Sequence, residues 1–302
     1  MSPPVPLDNF DPGSPAWMTK MTASKVAAVL GLSPWESRYS LWHRMAGLLE
    51  PELQDDDMTR GHYLEPAVAH WFADQHPDLI VGDGGPWQHP ARDWQAATPD
   101  RLCYAGPVRD DDAGPVALLE VKTSLYSDEW GEPGTDEIPP YYRAQVVWQM
   151  DTLGLSIAHV AVLLLQAGRF AEYRVDYNPT EAEYIRDEAR EFLNSLPGGP
   201  AEQVPSLDEH AATYAAVRKL HPDINPVDVD VPAWLARDYC AAVKVLRDAT
   251  RAHDYWRTVL ADHMQTARRA LFDGKPIASR RAKGAGDPYV QAAAKLPEEI
   301  PA

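Results

Sequence analysis

The amino-acid sequence predicts a mixed α/β core, in which a sheet is flanked by helices, followed by a helical C-terminal extension. Apolar residues follow helical spacing over the first quarter of the chain, and strand patterns replace it between residues 94 and 122. A helical segment and then a hairpin pattern occupy residues 139–175. This order of elements is expected of a mixed sheet with helices packed against it.

The elements that precede the sheet are an arm and three helices. Residues 1–16 contain five prolines and little apolar material, so we expect an extended arm. The first helix is predicted over residues 22–31, where Ser or Thr stands at the start and a glycine at the end. The second begins after Pro34, and the third covers residues 59–75.

The predicted sheet and its remaining helices complete a core that spans residues 17–196. Alternation and turn residues delimit the strands, which are predicted at 94–98, 102–105, 116–122, 160–166 and 170–175. Helical spacing predicts one helix at 139–153 and an acidic helix at 180–196.

The chain beyond the core divides into a linker and a basic extension. Residues 197–230 are rich in proline at their start and predict a linker with a short helix. Residues 231–302 predict a long helix up to Phe272, a hairpin at Asp273-Gly274 and a tail. Within this extension, residues 231–283 hold 11 Lys and Arg against 5 Asp and Glu.

Charge and composition exclude several classes of protein. A net charge of −17 argues against a non-specific nucleic-acid coat, because neutralising phosphates requires Lys and Arg. The basic extension is compatible with local binding of a polyanion. The carboxylates of the acidic part are equally compatible with binding of metal ions. Two cysteines, Cys103 and Cys240, are too few for a disulfide scaffold or a four-thiolate site. With no apolar run of membrane length and no signal-peptide pattern, we expect a cytoplasmic protein without membrane contact.

The most informative stretch joins Thr98-Pro99-Asp100 to Glu120-Val121-Lys122 across nineteen residues. On a strand, Glu120 and Lys122 stand at positions i and i+2, so both project from the same face. Asp100 follows a neighbouring strand and would supply a second carboxylate. Two carboxylates and a lysine suit metal-assisted hydrolysis of a phosphodiester, although a Glu-x-Lys pair also occurs at exposed sheet edges.

Further candidates lie on the predicted helices. Glu65 would add a carboxylate, or else be a solvated helix residue beside a proline. Gln145 and Gln149 stand one helical turn apart and would hold a water or a phosphate, or else be exposed amides. Trp35 and Arg38 would contact a DNA end, and packing in the core is the alternative for the tryptophan. The chain contains no nucleophile elbow, no phosphate-binding P-loop and no His-Glu-x-x-His zinc motif.

The ordered motifs resemble those of the YqaJ viral recombinase family, which is related to lambda exonuclease. The family belongs to the restriction-endonuclease-like superfamily with the PD-(D/E)xK motif. The resemblance covers roughly residues 18–196 and rests on the stretches TASKVAAVLGLSPW, RGHYLEP, TPD, LLEVK and IPPYYRAQVVWQM. It implies a three-layer restriction-endonuclease-like core and cleavage of DNA with Mg²⁺, for which Mn²⁺ can substitute.

The resemblance also assigns roles to individual residues. It makes Asp100, Glu120 and the Val121 carbonyl metal ligands, with Lys122 as the catalytic lysine and Glu65 as an additional carboxylate. It places Gln145 on the glutamine that follows the start of the tyrosine-containing helix. Ser24 falls on the serine of the 5′-phosphate pocket, and where relatives have an arginine before it, this chain offers only Lys20 at a different offset.

The function implied is a phage or prophage exonuclease that degrades one strand from duplex DNA ends, with 5′→3′ polarity. Its single-stranded product would pass to an annealing protein, and the resemblance to lambda exonuclease implies a homo-trimer. Two alternatives remain open at this point. One is an endonuclease that acts at structured or internal sites, and the other is a non-catalytic DNA-binding assembly protein with the same fold.

Overall fold

The computed structural model describes residues 2–51, 55–106, 114–294 and 296–297. The chain forms two compact units, Met1–Asp223 and Ile224–Ala302, and the division falls inside the predicted linker at 197–230. The predicted arm and tail include Met1 and residues 298–302, which lie outside the described residues.

Seven helices are described in the first unit, and several of their ends carry capping residues. Ser37 forms a reciprocal capping box with Ser40, and Asp55 accepts a hydrogen bond from the backbone N–H of Met58. Gly154 ends another helix with a φ of 71°, a left-handed conformation that favours glycine. The helices are α1 (Pro15–Met18), α2 (Ala23–Val29), α3 (Arg38–Met45), α4 (Asp56–Gln75), α5 (Pro140–Leu153), α6 (Pro179–Ser195) and α7 (Ala211–Leu220).

The strands of this unit form two sheets. They are β1 (Val5–Pro6), β2 (Met21–Thr22), β3 (Leu79–Asp83), β4 (Trp87–His89), β5 (Arg92–Ala97), β6 (Arg101–Ala105), β7 (Ala117–Ser124), β8 (Ile157–Leu164) and β9 (Arg169–Asp176). The five-stranded sheet has the order β3-β6-β7-β8-β9, and the smaller one has the order β1-β4-β5-β2. In the larger sheet β7 and β8 are parallel and the other neighbours are antiparallel. The sheet is therefore mixed, as predicted.

The core lies on both faces of the five-stranded sheet. Leu119 and Val121 of β7 face α4, where they pack with Val68 and Phe72. Leu118, on the other face of β7, belongs to the larger cluster that includes most of the buried residues of α5. Helix, sheet and helix form three layers, and this confirms the predicted restriction-endonuclease-like architecture. Strand β7 is buried on both faces and carries the Glu-x-Lys motif in the middle of the five-stranded sheet.

Strands β1 to β4 are absent from the sequence prediction, because they are short and none shows a clear apolar alternation. The N-terminal arm is not extended throughout. Strand β1 pairs with β4, Phe10 is buried, and α1 begins at Pro15. The proline-rich segment therefore adds an edge strand to the smaller sheet, and only part of its length is extended.

The second unit contains one long helix and a three-stranded sheet. These elements are α8 (Ala233–Met264), β10 (Arg269–Phe272), β11 (Lys275–Arg281) and β12 (Tyr289–Ala292). The prediction of helix up to Phe272 is wrong beyond Met264, because Gln265 has a φ of 45° and its backbone leaves the helical path. Asp273 and Gly274 both have positive φ, so they form the predicted two-residue hairpin turn between β10 and β11. Within the described residues, no helix is both long enough and apolar enough to cross a membrane.

Candidate active site

The Glu120 carboxylate is the centre of a buried polar cluster between β7 and α5. Its side chain is 2% exposed. Oε1 accepts hydrogen bonds from Lys122 Nζ and from Gln145 Nε2, each at 2.5 Å, and Oε2 accepts one from Gln149 Nε2 at 2.8 Å. The two glutamines, one turn apart on α5, thus point at the same acid on the sheet. They are not the exposed amides of the alternative interpretation, and Gln149 is fully buried.

The Lys122 ammonium lies between this carboxylate and an aromatic ring. Nζ is 4.8 Å from the centroid of the Tyr142 ring, which adds a cation–π contact to the ion pair with Glu120. Burial lowers the pKa of Lys122, but the negative charges of Glu120 and Asp100 outweigh it, and the net shift is upward. Lys122 is therefore a fixed positive charge at neutral pH, so its chemical role in this state is electrostatic.

Asp100 follows β5 and is held against the middle of β7. Its Oδ2 accepts a hydrogen bond of 2.7 Å from the backbone N–H of Val121. Burial, and then the charge of Glu120, raise the pKa of the Asp100 carboxyl to about 8, with a smaller contribution from Glu65. Two acids that are 20 and 35 residues away from Asp100 thus act on it electrostatically. The fold brings all four predicted residues, Glu65, Asp100, Glu120 and Lys122, into one region.

Arg101 is a member of this region that the sequence analysis missed. Its Nη1 donates to Glu65 Oε1 at 2.7 Å and to the carbonyl oxygen of Asp100 at 2.6 Å. The guanidinium therefore fastens α4, which carries Glu65, to the turn that carries Asp100. The signal available in the sequence is its position directly after Thr98-Pro99-Asp100, at the start of β6.

The donor set of this region fits a divalent cation that prefers oxygen. The charge of Glu120 raises the pKa of the Asp100 carboxyl, and a divalent cation between the two carboxylates would relieve that repulsion. In the described part of the chain, Glu65, Asp100 and Glu120 do not form a group whose ligand atoms all lie within 4.8 Å of one another. Their carboxylates have other partners: Glu120 accepts hydrogen bonds from three side chains, and Glu65 accepts one from Arg101.

The candidate residues for a 5′-phosphate lie around α2. Ser24 is exposed in the first turn, and its Oγ lies 3.1 Å from Thr22 Oγ1. Lys20 Nζ is engaged with the carbonyl oxygen of Asp93 at 2.5 Å. The sequence analysis missed Lys25, whose buried Nζ donates to the carbonyl oxygens of Trp17 and Lys20. Burial, with a contribution from the charge of Arg44, lowers the pKa of Lys25 to about 7.

The two residues predicted to contact a DNA end differ in their surroundings. The Trp35 side chain is exposed, not part of the core, and its ring makes an edge contact with Tyr141 at 5.2 Å between centroids. Tyr141 neighbours Tyr142, which covers Lys122, so Trp35 lies at the surface beside the acidic cluster. Arg38 is instead bound to Glu188 at 2.8 Å and to a backbone carbonyl of α2. A contact between Arg38 and DNA would require that ion pair to break.

A mixed sheet between two helical layers, with an acid and a lysine two positions apart on its central strand, defines the restriction-endonuclease-like fold. Residues 16–156 match the family model of the YqaJ-like viral recombinase domain. This match confirms the resemblance found in the sequence motifs, and it contains all the candidate site residues named above.

Solved structures of two exonucleases are similar to this chain. LHK-Exo, an alkaline exonuclease from Laribacter hongkongensis, is 23% identical, with 58% of this chain and 87% of that chain covered and a TM-score of 0.44. Its complex with dAMP is also 23% identical, with 59% and 88% covered and a TM-score of 0.46. A phage-related exonuclease from Haemophilus somnus 129PT is 13% identical, with 58% and 93% covered and a TM-score of 0.42. None of the curated proteins matches the chain.

Proposed function

We propose that this protein is a metal-dependent deoxyribonuclease that degrades one strand of duplex DNA from its ends, as an exonuclease of phage recombination type. The observation that carries the proposal is the cluster of the buried Glu120 with the partly buried Lys122 and Asp100 at the centre of the sheet. It lies within the part of the chain that is similar to the viral recombinase domain. A buried glutamate with a lysine two positions further on has no structural necessity in a strand that could be apolar throughout.

Mg²⁺ is the cofactor that we propose, with Mn²⁺ as a substitute. Asp100 and Glu120 would hold it, and Glu65 and the Val121 carbonyl would complete the oxygen ligands. When bound, such an ion lowers the pKa of a coordinated water and offsets negative charge on the phosphate in the transition state.

The residues of the chain itself account for the rest of the proposed chemistry. The Lys122 ammonium provides a positive charge at the scissile phosphate and orients the attacking water. Gln145 and Gln149 fix the orientation of the Glu120 carboxylate through neutral hydrogen bonds, which leave its negative charge intact. The exposed ring of Trp35 would stack against a base at the DNA end.

The partners proposed from the same assignment are duplex DNA ends and a single-strand annealing protein. We further propose a homo-trimer, through which DNA would pass during processive 5′→3′ degradation. Analytical ultracentrifugation tests the assembly, and a mass of one or two chains would reject the trimer without affecting the chemistry.

The test of the proposed function compares linear with closed circular duplex DNA in the presence of Mg²⁺. We expect nucleotides to be released from linear DNA and circular DNA to remain intact, with faster release from ends that carry a 5′-phosphate. Cleavage of the circle would instead favour an endonuclease. Binding of DNA without any cleavage, in Mg²⁺ and in Mn²⁺, would favour the non-catalytic assembly protein.

A further inference from the structure

A second polar cluster, formed by His76, His159 and Glu172, lies on the face of the large sheet that α4 covers. His76 is the first residue beyond α4, His159 is on β8, and Glu172 is on the edge strand β9. In the register of these strands, Ala161 faces Glu172, which places His159 one diagonal step from the carboxylate on the same face. Glu120 and Lys122 project from the opposite face of the sheet, so the two clusters are separate.

The carboxylate of Glu172 is shared between the two imidazoles. His76 Nε2 lies 2.8 Å from Oε2, and His159 Nδ1 lies 2.9 Å from Oε1. One ligand atom from each of the three residues falls within 4.8 Å of the others. A tetrahedral zinc ion with bonds of about 2.0–2.1 Å requires ligand atoms roughly 3.4 Å apart. To reach this geometry, the hydrogen-bonded nitrogen and oxygen atoms would move apart by about 0.5 Å, and ligand atoms farther apart than 3.4 Å, all within 4.8 Å, would approach one another.

We propose that His76, His159 and Glu172 form a zinc site that fastens the C-terminal end of α4 to strands β8 and β9. Two imidazole nitrogens and one carboxylate oxygen are an established ligand set for Zn²⁺, with a water in the fourth position. Among the residues that the structure describes, no other group of three or more possible ligands meets the same distance limit.

The imidazole rings are held in place before any ion binds. The Phe72 ring stacks on His76 with centroids 4.3 Å apart, and it contacts His159 at 5.1 Å. Packing of this kind reduces the rotamer freedom that ligand side chains lose on binding a metal. The three side chains are 12–25% exposed, so an ion and its water can enter from the surface.

The chemistry of this cluster differs from that of the acidic cluster on the other face. Imidazole nitrogens favour Zn²⁺, whereas Mg²⁺ prefers oxygen ligands and retains its water. The two sites therefore select different ions. The site also has a mechanical consequence, because Glu65 precedes His76 by eleven residues, a distance of about 16 Å along the helix. Fixing one end of α4 constrains the helix that presents Glu65 to Asp100.

The test is calorimetric titration of the full chain with ZnCl₂, after removal of bound metal and in excess Mg²⁺ to compete at the acidic cluster. We expect one zinc ion per chain, with affinity at least about tenfold lower in His159→Gln and in Glu172→Gln. His70→Gln is the matched control, because His70 is an exposed histidine on α4, and it should bind zinc like the wild type. Asp100→Asn should also retain the zinc ion.

Three further measurements distinguish the loss of a zinc ligand from the misfolding of a variant. Far-ultraviolet circular dichroism establishes whether each metal-free variant is folded. Co²⁺ in place of Zn²⁺ should give the visible absorption of a tetrahedral centre in the wild type and in His70→Gln, but not in Glu172→Gln. Zinc should raise the Tm of the wild type by about 5 °C or more and leave that of His159→Gln unchanged.

Three results would overturn the proposal. Wild-type protein that binds no stoichiometric zinc would make the cluster a hydrogen-bonded His–Glu–His contact only. Zinc binding that persists in both His159→Gln and Glu172→Gln, or disappears in Asp100→Asn, would place the ion elsewhere. DNA cleavage is not a readout of this experiment, so its result is independent of the proposed nuclease activity.

Discussion

The backbone N–H of Val121 donates a hydrogen bond of 2.7 Å to Oδ2 of Asp100, and this bond ties the turn after β5 to the central strand. It fixes the Asp100 carboxylate close to Glu120, which lies on that strand. An asparagine at position 100 keeps an oxygen that can accept the same bond but carries no charge. Asp100→Asn therefore separates the charge of this residue from its structural role.

The metal-free protein should lose stability between about pH 5 and pH 8. The pKa of Asp100 is about 8 in the folded state and 3.8 as its ordinary value, so over this interval the folded state holds a proton that the unfolded state has released. Stability falls with rising pH wherever the folded state binds more protons. We expect a decrease on the order of a few kcal/mol relative to Asp100→Asn, which lacks this titration. Urea unfolding of both proteins in a chelator at pH 5 and pH 8 measures it, and parallel pH profiles would contradict the assignment.

Divalent-cation affinity should rise with pH over the same range. Below its pKa of about 8, the Asp100 carboxyl must release a proton before it can bind a cation. We therefore expect the Kd for Mn²⁺ to fall up to about tenfold per pH unit from pH 6 to pH 8 and to level off above that. Calorimetry with Mn²⁺ in two buffers of different ionisation enthalpy also counts the released proton. A Kd that is independent of pH would show that Asp100 does not bind the ion.

Gln149→Leu should weaken metal binding without removing a ligand. Gln149 Nε2 donates to Glu120 Oε2 from a fully buried position, and a leucine of similar size removes that donor. Loss of a group that orients a metal ligand typically costs 10–100-fold in affinity or activity, and we expect a loss in that range. Gln75→Leu, at an exposed position of α4, is the control and should behave as wild type. Equal Kd values for Mn²⁺ in the two variants would reject an orienting role for Gln149.

Trp35→Ala should weaken DNA binding and leave the fold intact. The ring is exposed beside Tyr141, and stacking of one base on an aromatic ring contributes about 1–3 kcal/mol. We expect roughly a 5- to 100-fold rise in Kd for a duplex end and little change in Tm. Tyr184→Ala removes another exposed aromatic ring, on α6, and serves as the control. A comparable loss in both variants would mean that Trp35 has no specific contact with DNA.

The sequence predicted the centre of the site because strand alternation alone puts Glu120 and Lys122 on one face. The helical repeat likewise placed Gln145 and Gln149 on one side of α5. Arg101 was missed because its contacts depend on the packing of α4, which no local pattern reports.

The other differences between the sequence prediction and the structure also come from features that no local sequence pattern reports. His76, His159 and Glu172 come from three elements that meet only in the folded chain, and each is unremarkable in its own segment. The end of α8 was misplaced because apolar residues continue at helical spacing past Gln265, although the backbone turns there. Periodicity reports which side chains share a face, and it does not report where a single residue breaks the helix.

The most direct test of the account is the rate at which linear duplex DNA is degraded in Mg²⁺ by the wild type and by Glu120→Gln and Lys122→Met. Both variants remove a charge from the same ion pair, so both should lower kcat by at least about 100- to 1,000-fold, while binding to the duplex end is retained. Circular dichroism checks that each variant is folded, since removing one partner leaves the other charge buried. If either folded variant degrades DNA at the wild-type rate, the cluster of Asp100, Glu120 and Lys122 is not the nuclease site.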